Sequence, residues 1–152
     1  MSHSGRLRRL VRETQFPMTT MNSLRWLLAA FLAANGLYML AAPHAWYHAV
    51  PGVAATGPLN FHFVRDIGCA YLVAAVGMAW RAALPASGWA AALIGALFLL
   101  LHAGVHIAET LLGICGSDAL LRDAPGVVLT AALALALALP FPFDNRRIHH
   151  AV

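Results

Sequence analysis

Two stretches of this chain carry the side chains that bind metals and move protons. His102, His106 and Glu109 stand at i, i+4 and i+7; His62 and Asp66 stand at i and i+4, with Arg65 and Cys69 beside them. On a helix, residues three, four and seven apart share a face. Two imidazoles four residues apart present both rings to one ion, and imidazole with carboxylate suits Zn, Cu or Fe. Helical bundles hold metals in this manner, with Glu and His projecting inward from several helices. The expected metal ligands are therefore His62, Asp66, His102, His106 and Glu109, with Asn35 and Arg65 supporting them. An open position on such an ion would activate an oxidant or polarise a lipid-soluble substrate.

The same residues fit other chemistry. A bis-histidine haem takes one axial His from each of two helices, and His62 and His102 satisfy that requirement. Chains of His, Asp and Glu within apolar helices also mark proton relays, or sites for a quinone or a lipid headgroup. The plainest reading is a structural polar network. In it Arg65 pairs with Glu109 or with neighbours of Asp66, the histidines bond to carbonyls or water, and the chain is a non-catalytic subunit of a larger membrane complex. No nucleophile triad, phosphate loop or dinucleotide motif is present in the sequence, so it leaves open whether the protein is an enzyme.

The surrounding residues decide where these groups sit. Of 152 residues, 61% are hydrophobic and 11% charged, and the mean hydropathy is +0.70. A soluble domain averages about 45–50% apolar and roughly 25% charged. Too few charges remain to cover a soluble globule, and disorder is excluded by the same composition. The expectation is an all-α, four-helix transmembrane bundle. Its spans fall at about 24–42, 59–80, 87–112 and 125–143, each near the 20 apolar residues that a bilayer requires. Residues 131–139 alternate Ala and Leu, a strand period, but a lone strand cannot cross lipid and both residues favour helix. With the second helix entering and the third leaving on the outer side, Asp66, His106 and Asn35 share a depth of roughly 10 Å, and His62 and Glu109 one nearer 5 Å. The polar groups of three helices are thus expected to converge in the outer leaflet.

Orientation follows from the basic residues, all of them arginine. Arg6, Arg8, Arg9, Arg12, Arg25, Arg81, Arg146 and Arg147 flank one side, against Arg122 alone on the other, so both termini are expected in the cytoplasm. A basic N-terminal segment (1–22) then precedes the membrane domain (23–144), and a basic tail (145–152) follows it. Residues 7–16 suit either a short helix lying on the membrane or partial disorder. The first span begins too far into the chain for a cleaved leader. The basic groups are short and tethered to the membrane, which argues against nucleic acid as a partner. Lipid is the expected environment, with a homo-oligomer or larger complex as the expected assembly. Cys69 and Cys115 sit at mismatched depths and are expected to be free thiols. Trp46 and Tyr47 are expected in an interfacial aromatic belt, with His44 and His48 solvated beside them. Asp118, Arg122 and Asp123 are expected on a solvated face before Pro125. Small residues (Gly88, Ala91, Ala92 and Gly95 facing Ala70, Ala74 and Gly77) predict a close antiparallel hairpin of the second and third helices.

From Asn35 to Trp80 the chain runs Asn35-Gly36-Leu37-Tyr38, Pro43, a loop with Trp46, and then His62-Phe63-Val64-Arg65-Asp66-Ile67-Gly68. This pattern resembles the small four-helix bacterial membrane proteins of the DoxX-like group, over the first two spans. The resemblance implies that fold, a bacterial inner (cytoplasmic) membrane location, and a redox context linked to quinone-coupled oxidation of sulfur compounds. The His102–His106–Glu109 set does not map onto that group, so the resemblance carries over no functional residue.

Overall fold

A computed structural model of the chain describes the backbone of residues 3–140 and side chains from residue 19 onward. The expected tail (145–152), the end of the fourth span (141–143) and the side chains of Arg6 to Arg12 lie outside the described residues. Within them the protein is all-helical: α1 (His3–Ala41), α2 (Pro43–Ala49), a 3-10 turn (Val53–Ala55), α3 (Phe61–Ala83), α4 (Trp89–Leu111), α5 (Ser117–Asp123) and α6 (Val128–Ala138). Three helical segments are long and apolar enough to cross a membrane: Thr19–Ala41, Phe61–Ala83 and Trp89–Leu111. The pair α5 and α6, bent by 46°, makes a fourth if counted as one span.

Local chemistry sets these boundaries. Pro43 occupies the first turn of α2, where its missing N–H costs nothing, and α1 stops just before it. Asn60 caps α3, its side-chain oxygen accepting from the Phe63 N–H at 3.1 Å. Gly113, with φ of 71°, carries the chain out of α4. Inside the expected fourth span (125–143) the described helix is α6, Val128–Ala138; Pro125 and Gly126 separate it from the preceding segment, which is expected as loop and forms α5. The Ala–Leu alternation does form helix. α1 runs unbroken through residues 7–16 and past residue 22.

Helices α1, α3, α4 and α6 pack side by side in that order. The core between them is small-grained: Ala74, Ala75, Ala92, Ala96, Ala103, Ala131 and Ala134, wedged by Leu32, Met39, Tyr71, Met78 and Leu99. The backbones consequently approach closely. A Cβ at Gly77 would lie 2.5 Å from the Ala91 carbonyl oxygen, and one at Gly95 would lie 2.7 Å from the Ala74 Cα. The predicted hairpin stripe is thus the α3–α4 contact. On the other side of α3, a Cβ at Gly36 would lie 2.8 Å from the Gly68 carbonyl oxygen, which fixes the α1–α3 crossing. Only 28–39% of each long span is buried within the fold. The outward faces carry Leu27, Phe31, Val73, Ile94, Leu97 and Leu101. That much exposed apolar surface is compatible with a multi-pass membrane protein.

Arg25 and Arg81, expected only as flanking topology signals, are 1% and 0% exposed. The Arg25 Nε donates to the Leu137 carbonyl at 3.1 Å, and the Arg81 Nη2 to the Leu139 carbonyl at 2.8 Å. A helix leaves its last four carbonyls without intrahelical partners and carries partial negative charge there. Two guanidinium groups satisfy that end of α6.

Candidate functional site

A connected polar line descends from the end of the molecule where α4 meets α5. Arg122 crosses the first interhelical loop at Gly52, whose φ of 88° and missing side chain leave room for the guanidinium. Its Nε donates to the Asp123 Oδ1 at 2.9 Å. The other carboxylate oxygen of Asp123, Oδ2, lies 3.2 Å from the Nδ1 of His106. Both partners are largely enclosed, with His106 23% and Asp123 13% exposed. One turn deeper along α4, the His102 ring meets the His106 ring at 5.0 Å between centroids. His102 in turn lies flat against Phe98 at 6.1 Å and edge-on to Tyr71 at 6.3 Å. Tyr71 is buried at the α3–α4 seam.

The α4 helix makes this line possible. Its spacing stacks positions 98, 102 and 106 on one face, and the Thr110 hydroxyl donates to the His106 carbonyl at 2.9 Å, covering the next turn. The bend between α5 and α6 then turns Asp123 in over that face. A carboxylate on Nδ1 orients an imidazole and leaves Nε2 to exchange a proton or meet a ligand.

The other expected site residues are placed elsewhere. His62 and Asp66 bond to each other, Nε2 to Oδ2 at 3.3 Å, but their side chains are 89% and 58% exposed. The buried face of α3 runs Val64, Gly68, Tyr71, Ala75, Met78 and Ala82. His62 and Asp66 stand two residues away from that series, about 200° around the helix, on its exposed side. Glu109 is engaged at the C-terminal turn of α4, where the Cys115 thiol lies 3.9 Å from its Oε2. Asn35 accepts the Trp46 indole N–H at 2.9 Å, which ties α2 to α1. Arg65 donates to the Leu40 carbonyl at 3.4 Å, near the end of α1. Matched depth therefore does not translate into contact: His106 takes its carboxylate from Asp123 and not from Asp66. Among the described residues no three His, Cys, Asp or Glu side chains come together as a group able to hold a metal ion. Both cysteines are free thiols.

Sequence reasoning missed Asp123 and Tyr71. Asp123 sits at the N-terminal border of the fourth span, beside the C-terminal half of α4, and that position was the available signal. Tyr71 lies three residues from Gly68 and from Ala74 on a small-residue face, where its hydroxyl stands out. Compared with known proteins, the chain matches no family model, no curated protein and no solved structure.

Proposed function

We propose that this is a four-helix membrane protein, both termini cytoplasmic, that binds the polar head of a quinone-class carrier and exchanges its protons with the outer surface. The supporting observation is the enclosed His106–Asp123 pair in ring contact with His102. The aromatic side chains of Phe98 and Tyr71 frame His102, a setting suited to a flat conjugated head that needs one hydrogen-bond donor. His106 relays the proton, and Asp123 with Arg122 opens the route to water. The DoxX-like resemblance supports the same redox context.

The test is titration of the purified, detergent-solubilised protein with decylubiquinone, followed by tryptophan fluorescence. Saturable binding is expected, weakened at least about tenfold by His102→Ala, which removes a hydrogen bond and an aromatic contact, and unaffected by His62→Ala. Absence of saturable binding, or equal loss in the two variants, refutes the reading.

A transition metal at His102 and His106 is the second reading. The Asp123 contact favours it, since a carboxylate commonly orients a metal-binding imidazole. Two imidazoles fall short of the three protein ligands usual at catalytic zinc sites, so no catalytic step is assigned to the ion. Near-stoichiometric metal that disappears in the His102→Ala, His106→Ala double variant would establish it. A Soret band would move the assignment to haem.

A further inference from the structure

The outward face of α3 has a regularity that the outer polar line does not explain. His62, Asp66, Cys69, Val73, Val76 and Trp80 are all exposed, and they follow one another at spacings of four, three, four, three and four. That is the 3.5-residue period of a helix seam, the pattern by which one helix lies along another at a small crossing angle. Among the described residues no helix covers it. Its lower end opens into an apolar groove of about 410 Å³ between α1 and α3, lined by Trp26, Val76, Ala79, Trp80, Ala83 and Leu84. Its upper end carries the His62–Asp66 pair, whose exposed carboxylate and imidazole are expensive to present to lipid.

We infer that this face is the contact between two copies of the chain, packed α3 against α3 about a two-fold axis along the membrane normal. The occupant is identified by self-complementarity. A two-fold contact sets each residue of a patch against the same patch, and a patch holding one acceptor carboxylate one turn from one donor imidazole satisfies itself. Each Asp66 then sits between its own His62 and that of the second copy, forming a closed polar ring at one level. Below it Cys69, Val73 and Val76 are small enough for close approach, and the groove beside Trp80 receives apolar side chains of the other copy. Polar groups joining helices in this way hold membrane helices together and fix their register. The inference rests on the membrane-spanning reading of the helices, and it is independent of quinone binding.

Cys69 supplies the experiment, because it lies at the middle of the seam, and Cys115, outside the seam, is the control. Oxidative cross-linking of the full chain in native membranes should give a disulfide-linked dimer that survives Cys115→Ser and is lost in Cys69→Ser. In the cysteine-free double variant, Val73→Cys should restore the dimer, whereas Leu97→Cys on the outward face of α4 should not. Asp66→Asn, which keeps the shape of the side chain, should raise the dimer dissociation constant in detergent about tenfold, two symmetric contacts being weakened at once. Cross-linking only through Cys115, equal cross-linking from Leu97→Cys and Val73→Cys, or a monomer carrying bound lipid in the groove would each overturn the inference. The quinone titration reads out separately, so failure of one assignment is distinguishable from failure of the other.

Discussion

The contact between His106 and Asp123 can be isolated by a double-variant cycle. Asp123→Ala removes the acceptor from Nδ1 of a ring that is only 23% exposed. An enclosed polar group left without its partner costs about 1–3 kcal/mol, and partial access of water to this ring places the expected cost at about 1–2 kcal/mol. His106→Ala removes the same bond together with the packing against His102. The double variant should therefore be less destabilised than the sum of the two singles, with a coupling of about 1 kcal/mol. Arg122 also loses its carboxylate in Asp123→Ala, but it does so with and without His106, so its contribution cancels. Reversible unfolding of the purified protein in mixed micelles measures all four corners. At 1.4 kcal/mol per decade, the single Asp123 variant shifts the unfolding constant by about five- to thirtyfold. A coupling below about 0.3 kcal/mol, the error of additivity itself, would show that the two side chains do not interact and would remove the relay.

Further perturbations separate packing from chemistry. Gly77→Val forces the α3–α4 backbones apart and should cost about 1–3 kcal/mol, whereas Gly104→Val, at a position with no atom within 4 Å of a new Cβ, should leave the melting temperature in detergent unchanged. Arg81→Met leaves the Leu139 carbonyl at the end of α6 without its donor and should cost about 1–3 kcal/mol in the same assay, with Arg81→Lys failing to restore it because an ammonium cannot reproduce the planar fork. Trp46→Phe keeps an aromatic ring, smaller than the indole, but loses the bond to Asn35; a loss of about 1 kcal/mol and a local rise in amide hydrogen exchange over α2 are expected.

Much of the architecture was legible because lipid restricts the alternatives. Apolar runs of span length and small-residue stripes lead directly to helices and to the α3–α4 seam. The interruption at Pro125 was visible as residues but was placed at a helix start and not within a span, since hydropathy averages across a bend. The candidate site was half legible. His102 and His106 face inward together as their spacing requires, but depth fixes only height, and the rotation of α3 is set by where Gly68, Ala74 and Gly77 allow another backbone to approach. That rotation carries His62 and Asp66 outward. Arg25 and Arg81 were read through their charge alone, although a helix end with unsatisfied carbonyls offers an arginine an interior destination as good as water.

The grip of Arg25 and Arg81 on Leu137 and Leu139 bears on biogenesis. The first and third helices emerge from the ribosome long before the final one, so carbonyls that their guanidinium groups hold in the finished fold arrive last. Until then the nascent bundle lacks its closing clasp. A chain truncated ahead of Leu137 would insert yet stay loosely assembled, a natural substrate for membrane quality-control proteases, and the arrival of α6 becomes the event that locks these four helices.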